Sequence, residues 1–410
     1  MTYTDHTDSG AVRDIPGEGD EGSTMISDNS AGVQDATDEE LARLYRDLAA
    51  LDLHPLWNIT GELLTETPRP KAVPWLWNGA QLRALGERAI DLVPVERGGE
   101  RRVLSLGNPG LGGRPYAVGT LWGAIQCLGP RETAPAHRHS PGAIRFVLAG
   151  SGVWTTVDGD ACDMHPGDLI LTPSMHWHDH TNGGTESMVW FDGLDLPMIE
   201  ALDGVFFEEY PEFAQPQPAD RNVSEAAHAA HPGRFRTGAV TDELDPRSSR
   251  LLVYRWTDTD AELTRLAAEA DQAPVSIEFT NPESGASVLP TLSCSMHRVP
   301  AGRATEPRQQ TGNAIWVVFR GEGHSVIGGQ RFDWAPGDMF VVPSWVPVEH
   351  HAATPTDLFR LTDAPVLRAL GIYRERALDD PQPVTGTFTA RAVAGDDQAV
   401  PTTVPVGEAR

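Results

Sequence analysis

The segment FVLAGSG at residues 146–152 is answered by VFRGEG at 318–323, and HPGDLILTPSMHW at 165–177 by APGDMFVVPSWVP at 335–347. Gly150 and Gly321 stand 171 residues apart, and Pro173 and Pro343 stand 170 apart. Chance similarity does not hold a register across two separate segments, so the chain carries a duplicated domain. Around both copies, short runs of Val, Ile, Leu, Phe and Trp alternate with Gly- and Pro-rich turns, roughly every 8–12 residues. The expected fold is mainly β, two copies of one barrel, with helices before and between them.

The remaining segments set the expected boundaries. Residues 1–36 show no hydrophobic period; through Glu40 they carry eleven acids against the single Arg13, which reads as a disordered acidic tail. Thr37 stands three residues before Glu40 in capping-box spacing, and Leu41, Leu44, Tyr45, Leu48 and Leu51 follow at helical intervals. Residues 37–100 are thus expected to be a helical segment packing on the barrels. Barrel one is placed at 101–256, a helical linker at 257–275, barrel two at 276–376 and a C-terminal tail at 377–410.

Composition excludes several functions. Lys and Arg total 32 and Asp and Glu 58, a formal net charge of −26 over 410 residues. Nucleic acid and anionic membranes require a basic footprint, so neither is an expected partner. Three scattered cysteines, Cys127, Cys162 and Cys294, make neither a disulfide framework nor a thiolate cage, and no signal-peptide profile opens the chain. The expected location is the cytoplasm.

The first copy contains His137-Arg138-His139 and, downstream, His176-Trp177-His178-Asp179-His180. Alternate residues of a strand share a face, so His137 and His139 point together, as do His176, His178 and His180. Imidazoles sharing one ion need donor atoms about 3 Å apart, whereas side chains two residues apart leave a strand about 6.6 Å from one another. The concave interior of a small barrel favours that convergence. Ligand type alone does not separate iron from a catalytic zinc.

These residues resemble the paired cupin motifs. His137, His139 and Gly150 fit the first, and Gly167, Pro173, His178 and Asn182 fit the second. Two positions depart from the pattern: Met175 stands where Gly is usual, and Ala143 or Ile144 where the first motif has Glu. The expected metal site is therefore three histidines without a carboxylate. With HRHS, RFVLAGSG and TPSMHWHDHTN, and with matches at 101–111, 121–126, 190–197 and 280–285, the chain resembles the gentisate 1,2-dioxygenase family. Its relatives cleave salicylate and 1-hydroxy-2-naphthoate.

That resemblance implies a bicupin holding Fe²⁺ on His137, His139 and His178, with a small aromatic acid and O₂ as substrates and a homotetramer as the assembly. It places Gln126, Arg145, His180 and Asp192 around the pocket as catalytic or supporting groups. Arg145 also falls where it could pair with a substrate carboxylate, Trp122 where the pocket has a wall, and Arg101 or Arg102 where a carboxylate anchor stands. Asp192 is the expected partner for the His180 ring. In the second copy the offset puts Arg308, Gln310 and Val348 at the three ligand positions, so no second metal site is expected; His350 and His351 are adjacent and face opposite sides. The leading expectation is gentisate ring opening to maleylpyruvate. Salicylate or 1-hydroxy-2-naphthoate cleavage is the alternative, and a non-catalytic bicupin that binds a small aromatic acid is a further one.

Overall fold

The computed structural model describes residues 30–94, 102–216, 220–237 and 247–391, with side chains from residue 37. The acidic stretch 1–29 lies outside the described residues. The chain divides into two units, 1–66 and 67–410.

The first unit contributes α1 (Ser30–Ala49) and α2 (Leu56–Leu63). Trp57 Nε1 donates to the Tyr45 hydroxyl at 3.3 Å, and that hydroxyl donates to Asn58 Oδ1 at 3.3 Å, tying one helix to the other. Thr37 was expected to cap a helix that begins there. The helix instead starts at Ser30, with Thr37 inside it; no proline interrupts residues 30–36.

The second unit opens with β1 (Trp75–Trp77) and α3 (Gly79–Leu92). The first barrel follows as β2 (Val103–Ser105), β3 (Trp122–Leu128), β4 (Thr133–His139), β5 (Ala143–Ala149), β6 (Val153–Val157), β7 (Asp160–Asp163), β8 (Leu169–Thr172), β9 (His178–Asn182) and β10 (Met188–Leu194), then α4 (Leu196–Ala201) and β11 (Phe207–Glu209). α5 (Val223–His228), β12 (Phe235–Arg236), β13 (Val253–Tyr254) and α6 (Trp256–Glu269) lead to the second. That barrel is β14 (Val275–Phe279), β15 (Ser293–Val299), β16 (Arg308–Gln310), β17 (Ala314–Arg320), β18 (Gly323–Ile327), β19 (Gln330–Trp334), β20 (Met339–Val342), β21 (Val348–Ala352) and β22 (Thr356–Thr362), then α7 (Ala364–Ala369), β23 (Glu375–Ala377) and β24 (Gly386–Thr387).

Each barrel is a pair of sheets: β13-β8-β5-β10-β3-β2 with β11-β4-β9-β6-β7, and β1-β20-β17-β22-β15-β14-β12 with β23-β16-β21-β18-β19-β24. The two larger sheets face one another, so the outward faces of their strands are buried between the barrels, with Phe146, Phe191 and Phe279 around Phe359. On β5, Ile144 and Phe146 point to the other barrel, where Phe146 stacks on Phe359 with centroids 4.2 Å apart; Arg145 and Val147 point into their own.

The strands β1 and β13 are exchanged between the barrels, while the helices that follow them pack on their own: α3 on β2 and β3, α6 on β14 and β15. β1 precedes the first barrel but pairs with β20 of the second, and β13 precedes the second but pairs with β8 of the first. The repeated Pro-Gly-Asp turns complete the exchange. Asp338 Oδ1 accepts from Gly79 N–H at 2.7 Å at the start of α3, and Asp168 Oδ1 accepts from Trp256 N–H at 2.8 Å at the start of α6. A Cβ on Gly79 would sit 2.2 Å from the Gly337 carbonyl carbon, so only glycine fits there.

The expected C-terminal tail at 377–410 is built into the second barrel as far as it is described. β23 pairs with β16, β24 runs parallel to β19, and Phe388 stacks on Phe332 at 4.7 Å. Its apolar Phe388 has a core to join, which overrides the polar look of the segment. Among the described residues no helix is long and apolar enough to cross a membrane.

Candidate active site

β4 and β9 run antiparallel with His137 directly opposite His178, so the alternation that aligns His137 with His139 brings all three rings to one place. Ring centroids lie 4.4 Å apart for His137 and His178, 4.8 Å for His139 and His178, and 5.6 Å for His137 and His139. One nitrogen from each falls within 4.8 Å of the others, the one such group of three among the described residues.

The rings are fixed from behind. Nδ1 of His137 meets the Pro135 carbonyl at 2.9 Å, Nδ1 of His139 that of Pro141 at 2.8 Å, and Nδ1 of His178 that of His176 at 3.0 Å. A carbonyl only accepts, so each Nδ1 carries the proton and each Nε2 presents a lone pair. His178 Nε2 is buried and has no hydrogen-bond partner, a costly state unless a cation takes the lone pair. Burial holds His178 well below the usual histidine range and His139 down at about 4, so both are neutral and ready to ligate near pH 7. The residues fit a metal ion. Phe207, delivered by β11, stacks on the His137 ring at 5.2 Å; the pairing of β11 with β4 spans some 70 residues and has no local signature.

Arg145, Asp192 and His180 line the same barrel. Asp192 lies opposite Arg145 in register, and Arg145 Nε stands 3.4 Å from Asp192 Oδ1 while its Nη1 donates to Thr172. Trp190 Nε1 donates to Asp192 Oδ1 at 3.1 Å. Burial pushes the Asp192 carboxyl up to about 6, against the pull of Arg145. The expected His180–Asp192 pair does not form. His180 Nδ1 instead meets the Thr155 hydroxyl at 2.8 Å, because β6 pairs with β9 and sets Thr155 directly opposite. Thr155, Thr172 and Trp190 were not foreseen; the alternation of Thr155 with Val153 and Val157 was the available signal.

Gln126 is buried opposite Trp190, on the Arg145 face. Trp122 sits half-buried at the start of β3, its Nε1 donating to Ser105 at 3.2 Å. Arg102 is buried and paired with Glu132 beside the start of β4, about 13 Å of strand from His137. Arg101 lies outside the described residues. In the second barrel Arg308, Gln310 and Val348 occupy the positions of His137, His139 and His178, His350 points inward, and His351 lies on the other face stacked on His324.

Residues 124–194 and 295–362 each match the model of the Cupin domain family. A gentisate 1,2-dioxygenase of a Streptomyces species is 46% identical over 356 residues, covering 83% of this chain and 98% of that one. A 1-hydroxy-2-naphthoate 1,2-dioxygenase of a Nocardioides species is 30% identical over 362 residues, covering 86% and 91%. The solved salicylate 1,2-dioxygenase from Pseudaminobacter salicylatoxidans superposes with a TM-score of 0.75 at 42% identity, covering 82% of this chain and 97% of its own.

Proposed function

This chain belongs to the gentisate 1,2-dioxygenase family and is a ring-cleaving dioxygenase of 2-hydroxybenzoates; from that premise we propose that it holds ferrous iron on His137, His139 and His178 and opens gentisate to maleylpyruvate. The observation that carries the reading is the trio of imidazoles, each pinned through Nδ1, with no carboxylate among them. Bound there, ferrous ion supplies the electronic link between a chelated aromatic acid and O₂, both atoms of which end in the product.

The chain's own groups do the rest. Neutral ligands leave the ion's double positive charge for a carboxylate and an ortho phenolate to neutralise. Arg145, held in place by Asp192 and Thr172, orients the substrate carboxylate. His180, its Nδ1 engaged by Thr155, has Nε2 for taking or returning a proton on the phenol. Gln126 and Trp122 border the ring. With this reading go a cytoplasmic location, which three buried free thiols suit, and a homotetrameric assembly.

The test is anaerobic Fe²⁺ loading followed by O₂ uptake with gentisate, salicylate and 1-hydroxy-2-naphthoate. Gentisate is expected to give the highest kcat/KM. A higher value for either other acid replaces gentisate as the substrate, and no uptake with any of them by iron-loaded protein overturns the reading.

A further inference from the structure

The second barrel keeps a cavity of about 550 Å³ between β14, β15, β17 and β22 on one side and β16 and β21 on the other. Cavities of this size hold organic ligands rather than a lone ion (about 300–1,000 Å³). Its groups follow from the repeat. Trp316 stands at the position of Arg145, and Arg360, directly opposite Trp316 in register, stands at the position of Asp192. His350 repeats His180, down to a hydroxyl on its Nδ1: Ser325 at 2.7 Å where His180 has Thr155.

The exchange of Asp192 for Arg360 changes the electrostatics. In the first barrel a buried guanidinium has its carboxylate; in the second the carboxylate position is itself a guanidinium. Among the described residues Arg360 makes no ion pair, and its Nε is buried without a hydrogen-bond partner. Trp316 is 4% exposed, and its buried Nε1 also lacks an acceptor. Three acids stand on the cavity wall: Glu278 accepts from Ser293, Glu375 accepts from Tyr373 and pairs with Arg308, and Glu306 also pairs with Arg308, so Glu278 and Glu375 attract Arg360 only through space, without an ion-pair contact. Burial keeps His350 down at about 3 and His297 well below the ordinary range, so neither adds charge. A half-buried guanidinium with no carboxylate in contact gains from a bound anion, and its N–H groups opposite the Trp316 indole N–H suit the two oxygens of a carboxylate. Flat rings surround them: Trp316 lies 4.8 Å from His297 and 4.4 Å from His350.

We propose that the second barrel is a metal-free binding site for a small aromatic carboxylate, its carboxylate held by Arg360 and Trp316 and its ring against Trp316 and His350. The duplicated fold then carries two acid sites, one chelating through a metal and one pairing with a guanidinium. The ligand can be the enzyme's own substrate or an aromatic acid that it does not cleave, and the two sources are separable by experiment.

Iron-loaded protein is titrated anaerobically by calorimetry with benzoate, which lacks the ortho hydroxyl that chelation requires, and with gentisate. Wild type is expected to bind benzoate, and to take up two equivalents of gentisate per chain. Arg360→Met is expected to weaken benzoate binding by about tenfold or more and to leave one gentisate equivalent, and Trp316→Phe to weaken benzoate by a smaller factor. Iron content and O₂ uptake near wild-type values in either variant show that it is folded; should Arg360→Met fail this check, Trp316→Phe carries the test alone. A second gentisate equivalent without benzoate binding supports the site and assigns it to the substrate. Absence of both, or unchanged binding in the folded variants, overturns the proposal. The benzoate arm does not depend on the catalytic reading, which stands or falls on turnover.

Discussion

Met175 adopts φ +61° in the turn leading to β9, and its N–H donates to the His139 carbonyl at 2.8 Å, so a residue in left-handed conformation links the strands of His139 and His178. Trp345, at the same place in the second barrel, has φ +64°. The missing motif glycine was legible in the sequence; that the chain keeps the left-handed turn without it was not. A β-branched residue is poorly tolerated there, so Met175→Val should cost about 1–2 kcal/mol, whereas Met175→Gly should be the more stable of the two. Urea unfolding of both variants checks the order, and a Val variant at least as stable as the Gly variant would contradict it. Arg145→Lys should retain iron but raise KM for gentisate by about tenfold, since an ammonium loses the planar fork. Steady-state kinetics with iron analysis decides this: unchanged KM would remove Arg145 from substrate binding.

The exchanged strands β1 and β13 lead into α3 and α6, each of which is capped by a carboxylate from across the barrel boundary. Asp338→Ala removes the acceptor for Gly79 N–H and should cost about 1–2 kcal/mol, measured as a lower urea midpoint. A midpoint equal to wild type would mean that water replaces the cap. The Pro-Gly-Asp turns were plain in the sequence as part of the repeat, and so were the runs that became β5, β8, β17 and β20. The partners of β1, β13 and β11 were not legible, because pairing across tens to hundreds of residues leaves no mark on the local pattern. The same holds for β24, whose short Gly-Thr run reads as loop until the edge of β19 is there to receive it.

Across the whole molecule, a second pair of exchanged contacts repeats the first: Thr291 donates to Asp195 and Thr120 donates to Asp363, each linking the end of one barrel to the start of the other. Burial raises Asp195 from 3.8 to about 6 and raises Asp363 as well. A folded state that binds the proton more tightly than the unfolded chain loses stability as pH rises through that window. Asp195→Asn removes this titration, so its stability relative to wild type should improve between pH 4 and about 6.5 by roughly 1–3 kcal/mol. Urea unfolding at several pH values reads this directly, and a difference that stays flat or falls would contradict it. The grouping of His137, His139 and His178 was legible because strand alternation and motif spacing both point to it. The surrounding hydrogen bonds, such as Thr155 to His180, depend on sheet order and were not.

Iron analysis after anaerobic reconstitution and desalting tests whether the chain holds one metal, in the first barrel. About one iron per chain is expected in wild type and in Val348→Ala, and almost none in His178→Ala, with O₂ uptake on gentisate following the iron. Two irons per chain, or equal loss from His178→Ala and Val348→Ala, would contradict it.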